Sequence, residues 1–290
     1  MKHLTQFIAE KQNFLVNKKI DKKYNTPRYV PQTKEEQADN IKELFDKGET
    51  DLNCIDTSAI TDMSKLFLHI NNTIDTNFDV SEWNVSNVNN MSHIFYDCKN
   101  FDCDLSSWDV NKVKNMSHMF YNCKNFTGKG IEHWDVGNVN VFTGMFDNCI
   151  NLTDIDLSNW DVSNGEYFQS MFYNCKNFTG KGLDKWDVSK VKDMSFMFDD
   201  CKKFKGKGLE NWNVSNVTKV TSLFANCENF DCDLSNWNVS KIENMYCMFF
   251  HCTKFKGIGL EKWNVKKVKD MRFMFDECTS IKNKPTWYKE

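Results

Sequence analysis

The sequence predicts an α/β solenoid of about nine coils, each built from one short strand and one short helix. Tryptophans recur every 25 or 26 residues, a cysteine follows each at an offset of 15, and other apolar residues keep constant offsets between them. A fixed period of this length is typical of stacked repeats, in which each unit buries its apolar face against its neighbours. The tryptophans that mark the repeat are Trp83, Trp108, Trp134, Trp160, Trp186, Trp212, Trp237 and Trp263.

Each coil combines two apolar periodicities. In the second coil, Leu105, Trp108 and Val110 alternate as in a strand, whereas Met116 and Phe120 continue at helical spacing. We therefore expect strand, short helix and turn in that order. This is the leucine-rich-repeat arrangement, with a short parallel sheet on one face of the solenoid and helices on the other. A propeller blade needs about 40 residues or more, so the period argues against a propeller.

Residues 1–31 form a predicted basic arm. They contain seven Lys or Arg against two acidic residues, whereas the whole chain has a formal charge of -3. Two interpretations stay open: a flexible tail, or an attachment peptide that orders on a larger assembly. The arm is expected to be dispensable for folding, so that a chain starting near residue 31 keeps its cooperative unfolding. The candidate attachment residues are Leu4, Phe7, Ile8, Phe14 and Leu15.

Residues 32–50 are predicted to form a capping helix, and residues 51–290 the solenoid. Thr33 with Glu36 is a capping-box pattern, apolar residues follow at helical spacing to Phe45, and Gly48 suits the C-terminal cap, which predicts a helix over about residues 34–47. A degenerate coil with isoleucine in place of tryptophan then begins the solenoid. Further on, Gly165 replaces a valine of the repeat and Phe168 a methionine, so we expect the larger ring to fill the space.

Composition narrows the function classes. The net charge of -3 gives no nucleic-acid signature, and no stretch approaches the roughly 20 apolar residues of a membrane span, so neither nucleic acid nor membrane insertion is expected. The first residues lack the apolar run of a signal peptide, which favours a cytoplasmic or virion-associated location over conventional secretion. The repeated cysteines are interpreted as reduced core residues; bridging between repeats and metal binding are the alternatives.

The repeat W-[DN]-V-x-x-V-x-x-M-x-x-M-F-x-x-C-x-x-F, over residues 52–287, resembles the repeats of the BspA-like leucine-rich-repeat surface proteins, first catalogued as a mycoplasma domain of unknown function. The resemblance implies a leucine-rich-repeat-like solenoid and a surface or adhesion role. Similar repeats occur in phage and other viral proteins and in protists. The resemblance supplies no catalytic residues.

Two columns of side chains are candidate partner-binding sites. The predicted strand face carries Asp109, Asp135, Asp161, Asp187, Asn213 and Asn238, and the predicted helix face carries His93, Tyr96, His118 and Tyr121. The alternative for the first column is pairing with backbone amides at the strand-to-helix corner. The alternative for the second is partial burial between helices. A metal site at the two histidines, or at Cys247, His251 and Cys252, lacks supporting ligands.

The expected function is a non-catalytic recognition or adhesion module that presents an extended surface to a protein or glycan partner. The second hypothesis is a virion or assembly component fixed through the basic arm. No nucleophile elbow, phosphate loop or metalloprotease motif stands out from the repeat, so neither an enzyme nor a cofactor is expected.

Overall fold

The described chain winds into a stack of nine parallel coils. The computed structural model describes residues 19–21, 26–68 and 76–289. A leading coil over residues 52–68 is followed by coils one to eight, which contain Trp83 to Trp263 in order. Isolated parallel β-bridges join successive coils through one residue of each. The bridged residues are Asp62, Asn90, Asn115, Val141, Tyr167, Asp193, Lys219, Asn244 and Asp270.

Regular secondary structure is sparse. Strands β1 (Lys19–Asp21) and β2 (Thr26–Arg28) pair antiparallel, and helix α1 spans Lys34–Asp46. Short 3₁₀ helices precede four of the tryptophans, at Ile131–His133, Leu183–Lys185, Leu209–Asn211 and Leu260–Lys262. Within the described residues these are all the helices and strands, and turns make up most of the remainder.

The predicted capping helix is confirmed as α1, which ends one residue earlier than expected. The Thr33 hydroxyl accepts the Glu36 N–H at 3.1 Å, which satisfies one free amide of the first turn. At the other end Gly48 has φ 78°, and the Glu49 N–H reaches back to the Leu44 carbonyl at 3.0 Å. This closing turn is a Schellman motif, as the glycine predicts.

α1 is not alone in covering the leading coil. Ile41 and Leu44 of α1 are buried in the common core, and so is Tyr29, which lies within the predicted arm. The Tyr29 N–H donates to the Cys54 carbonyl at 3.1 Å, and the Asp56 N–H donates to the Tyr29 carbonyl at 2.7 Å. The cap therefore includes Tyr29, and a chain truncated at residue 31 would lose these contacts.

The prediction of strand–helix coils with a parallel sheet is wrong. Where a helix was expected, Ile94 N–H donates to Met91 O and Cys98 N–H to Phe95 O, which closes successive four-residue turns. The third residue of each turn has positive φ, as in type II turns: His93 at 58° and Asp97 at 61°. Where the strand was expected, residues 105–110 form no bridge, and the isolated bridges between coils lie at Asn90, Asn115 and their counterparts, beside the expected helix.

The cause of this error is the hydrogen-bonding pattern between coils. Met91, His93 and Phe95 donate their N–H groups to the following coil at 2.9–3.0 Å, so these amides are not available for an α-helical ladder. A run of four-residue turns also returns a side chain to the same face every three or four residues. The apolar spacing therefore resembles that of a helix although the backbone is not helical.

The core consists of columns that run the length of the stack. The tryptophans are 2–5% exposed, and consecutive rings such as Trp83 and Trp108 stack 6.4 Å apart with planes 5° from parallel. Each indole N–H donates to a backbone carbonyl of the preceding coil, as Trp186 Nε1 does to Leu157 O at 3.1 Å. The predicted tryptophan column is confirmed, and it joins coils by hydrogen bonds as well as by burial.

The cysteines form a second column. The thiol of Cys175 lies 3.0 Å from the Phe146 carbonyl of the preceding coil, and Cys123, Cys149 and Cys201 make the same contact. All twelve cysteines of the chain are free thiols, as predicted for the repeated ones. The core interpretation of these residues is thereby confirmed.

The irregular coil repacks as expected. A Cβ atom added to Gly165 would lie 2.5 Å from the Phe168 ring, so that ring occupies the space of the missing valine. The Phe142 and Phe168 rings lie 5.1 Å apart in adjacent coils. The two larger side chains of coils three and four thus compensate for the smaller one.

Candidate functional site

The candidate residues of the predicted strand face lie at an exposed corner, here called the Asx corner, formed by the Asp or Asn after each tryptophan. Asp109 Oδ1 accepts the Asn111 N–H at 3.2 Å, and Asp187 Oδ1 accepts the Ser189 N–H at 2.9 Å. The same bond occurs at Asn84, Asp135, Asp161, Asn213, Asn238 and Asn264. The alternative interpretation is confirmed: these side chains form Asx turns.

A further ladder runs beside the Asx corner. Asn164 Nδ2 donates to the Gly137 carbonyl of the preceding coil at 2.8 Å, and its Oδ1 accepts from Lys190 Nζ of the following coil at 2.7 Å. Asn87 and Asn216 make corresponding bonds. The polar groups of this side of the stack are therefore engaged in holding the coils together.

The other candidate residues lie on the run of turns. We define the turn face as the side chains ten and thirteen residues after each tryptophan, beginning with His93 and Tyr96 in coil one. The tenth residue is the turn position with positive φ, which β-branched residues adopt poorly. The tenth residues are His93, His118, Gly144, Ser170, Phe196, Ser222, Cys247 and Phe273; the thirteenth are Tyr96, Tyr121, Asp147, Tyr173, Asp199, Ala225, Phe250 and Asp276.

The structure brings the four predicted residues of the turn face together. The His93 and His118 ring centroids are 4.9 Å apart, and Tyr96 stacks on Tyr121 at 4.4 Å with planes 5° from parallel. A Cβ atom at Gly144 would lie 2.3 Å from His118 Nδ1, so the glycine makes room for the imidazole. All four aromatic side chains are half-buried.

These two histidines favour the neutral form. Burial lowers the pKa of both, and for His93 the charges of His118 and Lys65 lower it further. The Nδ1 atoms of His93 and His118 are buried and make no hydrogen bond with the protein. Two ring nitrogens on this face thus have unused hydrogen-bonding capacity.

Sequence reasoning missed two acidic residues of the turn face. Burial raises the pKa of Asp147 to about 7 and that of Asp199 to about 6. Burial, followed by the negative charges of Asp199 and Asp147, raises the pKa of Tyr173, which lies between them in the column. The available signal was an aspartate at an offset where other coils carry an aromatic residue.

The later coils add apolar aromatic residues. Phe196 is 39% exposed and Phe273 is 48% exposed, and both are tenth residues of the turn face. Phe250, a thirteenth residue in coil seven, is half-buried. Exposed aromatic side chains of this kind are enriched at protein interfaces. Along the stack, the turn face therefore passes from histidine and tyrosine through aspartate to phenylalanine.

The described residues contain no group of three or more His, Cys, Asp or Glu side chains placed to hold a metal ion. Burial raises the thiol pKa of Cys103 and Cys232 to about 12 and that of Cys278 to about 11. Because thiolates are the reactive form, these residues are poor nucleophiles at neutral pH. The candidate attachment residues Leu4, Phe7, Ile8, Phe14 and Leu15 lie outside the described part of the chain.

In the ranges that the structure describes, no helix has the length and apolar character needed to cross a membrane.

No curated protein matches the chain. Among solved structures, a chain in the crystal structure of a TLR13–ssRNA13 complex is 12% identical, with a TM-score of 0.20. The match covers 86% of this chain and 48% of that one, so this chain spans about half of its length.

The comparison with family models gives a match along most of the sequence. The model described as a Mycoplasma protein of unknown function, DUF285, matches residues 39–130, 124–181 and 176–288. These segments include the second half of α1, from residue 39, and the eight tryptophans from Trp83 to Trp263. The chain belongs to this family of mycoplasma proteins of unknown function, DUF285.

Proposed function

We propose that the protein is a non-catalytic recognition module that binds a protein partner through the turn face. The observation that carries the proposal is the difference between the two sides of the stack. Side chains of the Asx corner accept backbone N–H groups of their own coil, whereas the turn face displays exposed and half-buried aromatic rings.

The chemistry of the turn face suits a partner that is partly apolar. Phe196 and Phe273 offer ring surface, Tyr96 and Tyr121 combine ring surface with a hydroxyl, and such residues dominate binding energy in protein interfaces. The spacing of the coils fixes these groups on a rigid scaffold. Little conformational entropy would therefore be lost by the solenoid on binding.

The test compares two sets of variants of the full chain. A turn-face variant carries Tyr121→Ser, Phe196→Ser and Phe273→Ser. A matched corner variant carries Asp109→Asn, Asp135→Asn and Asp161→Asn, which keeps each Oδ1 acceptor and changes only charge. Parent and variants are immobilised for affinity capture with quantitative mass spectrometry, and labelled for a glycan array.

We expect the parent and the corner variant to capture one protein in equal amounts. The turn-face variant should capture at least tenfold less of that protein. Equal capture by all three would refute the assignment to the turn face. If a glycan binds the parent but not the turn-face variant, the turn face remains the assigned binding surface, and the partner is a glycan instead of a protein. Loss of capture in the corner variant alone would move the site to the Asx corner.

A further inference from the structure

Hydrogen bonds along the turns point one way through the stack. In coil seven, the N–H groups of Met245, Cys247, Phe249 and His251 donate to carbonyls of coil eight at 2.8–3.1 Å. The corresponding alternate residues of the earlier coils donate in the same direction. One backbone bond nearby runs the other way, from Lys269 N–H to the Glu243 carbonyl. Each coil thus presents a row of donors to the coil that follows it.

In the described part of the chain, the same row of N–H groups in coil eight meets no acceptor. The N–H groups of Met271, Phe273, Phe275 and Glu277 have no hydrogen-bond acceptor within the described residues. We call these four residues the donor edge. An ordinary sheet edge alternates donors and acceptors. The donor edge instead carries four backbone N–H donors on alternate residues. Several N–H groups that point in the same direction attract negatively polarised groups.

Apolar side chains beside the donor edge are also uncovered. Val265, Val268 and Met271 are half-buried, whereas their counterparts in coil seven, Val239, Ile242 and Met245, are at most 1% exposed. Trp287 and Tyr288 cover the Phe275 ring, with Tyr288 at 4.9 Å. The described chain therefore covers one part of this surface and leaves the valines and the methionine partly exposed.

The sequence segment that carries the donor edge has a positive formal charge. Residues 264–289 contain seven Lys or Arg against three acidic residues, although the chain as a whole has a formal charge of -3. Asp270 is paired with Arg272 through Oδ1 at 3.0 Å and Oδ2 at 2.8 Å. The basic residues are Lys266, Lys267, Lys269, Arg272, Lys282, Lys284 and Lys289. Unpaired amides and basic side chains thus favour the same class of ligand.

The opposite end of the stack shows how such a row can be covered. The carbonyls of Asp62 and Ser64 in the leading coil accept no backbone N–H among the described residues. α1 lies over this coil, and Lys34 Nζ lies 3.4 Å from Asp62 Oδ2 and 3.3 Å from Ser64 Oγ. A cationic group therefore lies at the carbonyl end of the stack.

This arrangement argues against a second copy of the chain as the occupant of the donor edge. Two donor edges cannot satisfy each other, because both supply N–H groups and neither supplies carbonyls. Head-to-tail stacking would require the carbonyl end of a second copy, which α1 covers. The basic residues 1–31 of another copy carry charge of the same sign as the surroundings of the donor edge.

We propose that the donor edge binds an extended acidic segment of a partner protein. Carbonyl and carboxylate oxygens of that segment accept the N–H groups of Met271, Phe273 and Glu277, while its alternate apolar side chains cover Val265, Val268 and Met271. The donor edge shares Phe273 with the turn face, but the donor edge uses its backbone N–H and the turn face uses its side chain. Binding at the donor edge does not require the proposed function of the turn face to be correct.

The test uses a fluorescein-labelled octapeptide of alternating aspartate and valine with the full chain. Fluorescence anisotropy should show saturable binding that weakens with salt and is at least tenfold tighter than that of a lysine–valine octapeptide. Hydrogen exchange should become slower at the amides of the donor edge when the acidic peptide is added. Equal binding of both peptides, or unchanged exchange at these amides, would overturn the proposal.

A proline variant isolates the contribution of the backbone. Met271→Pro removes an N–H group that has no partner in the described chain, so the variant should melt at the same temperature as Met271→Ala, which loses the same side-chain packing, and should bind the acidic peptide at least tenfold more weakly than the parent. Met271→Ala keeps the N–H and should lose less affinity. If Met271→Pro binds as the parent does, the amides are not the binding groups. Should that variant fold poorly, the exchange measurement on the parent protein decides.

Discussion

The Asx corner and the turn face belong to the same coils, but the repeat constrains them differently. The corner carries Asp or Asn in all eight tryptophan coils, whereas the thirteenth position of the turn face carries tyrosine, aspartate, alanine or phenylalanine. In each of these coils the Asp or Asn side chain of the corner accepts a backbone N–H group. The comparison suggests that uniform columns maintain the coil, and that columns that vary from coil to coil are available for binding.

The largest expected effect is the loss of a uniform core column. Trp186→Ala removes a buried ring and the bond from Nε1 to Leu157 O, and should lower the free energy of unfolding by about 3–5 kcal/mol. Chemical denaturation measures this change. Trp186→Phe is the control that keeps much of the ring and loses the N–H, and it should fall between the alanine variant and the parent. An unchanged midpoint for Trp186→Ala would contradict the column.

The second prediction concerns the coil that breaks the uniform pattern. Gly165→Val restores the repeat residue but places its Cβ 2.5 Å from the Phe168 ring, so we expect a loss of about 1–3 kcal/mol from overpacking. The double variant Gly165→Val with Phe168→Met should recover most of that loss. Thermal unfolding of the single and double variants tests the compensation. Additive losses would show that the two positions are independent.

The third prediction uses the buried acid Asp199, whose folded pKa of about 6 exceeds the usual 3.8. The folded state binds its proton more tightly than the unfolded state, so stability falls as pH rises from about 4 to 6. Asp199→Asn should therefore be more stable than the parent above pH 6, by about 1–3 kcal/mol, and this gain should disappear below pH 4. Denaturation midpoints at pH 4 and pH 8 provide the test; a pH-independent difference would exclude the mechanism.

A smaller effect is expected at the Asx corner. Asp187→Ala removes the acceptor of the Ser189 N–H and should cost about 1 kcal/mol, as other losses of a capping side chain do. Asp187→Asn keeps that acceptor and is the matched control. If the alanine and asparagine variants unfold at the same temperature, the corner bond contributes little to stability.

The smallest effect is expected at the turn face. Phe196→Ser changes a side chain that is 39% exposed, and the free energy of unfolding should remain within about 0.5 kcal/mol of the parent. The same substitution should weaken binding of the partner in the proposed recognition function. A loss of stability comparable to that of Asp187→Ala would show that the turn face supports the fold as much as the corner does.

Much of the architecture could be predicted from the sequence. The period predicted stacked coils and the tryptophan and cysteine columns, and the Thr33–Glu36 capping box with Gly48 predicted the boundaries of α1 to within one residue. The backbone of the coil could not be predicted from apolar spacing, because four-residue turns and α-helices both place Met116 and Phe120 on the same face. Positive φ at non-glycine residues such as His118 is imposed by neighbouring coils, which local sequence does not reveal.

The candidate sites were less predictable. The columns could be found by counting, and for His93 and His118 the sequence correctly placed two residues side by side. Whether a polar column is engaged or free depends on which backbone amides point towards it, and this follows from turn conformation. The burial of Asp147 and Asp199 and the open donor edge therefore required coordinates.

Because one buried thiol lies in each coil, thiol labelling can measure the opening of each coil separately. One ladder cysteine lies in each of coils one to eight, from Cys98 to Cys278, with its sulfur shielded from solvent in the folded chain. An alkylating reagent can reach such a sulfur after the coil has separated from its neighbour, so labelling rates read by peptide mass spectrometry time the separation coil by coil. Cys278 should label before Cys175, which would reveal fraying that begins at the last coil.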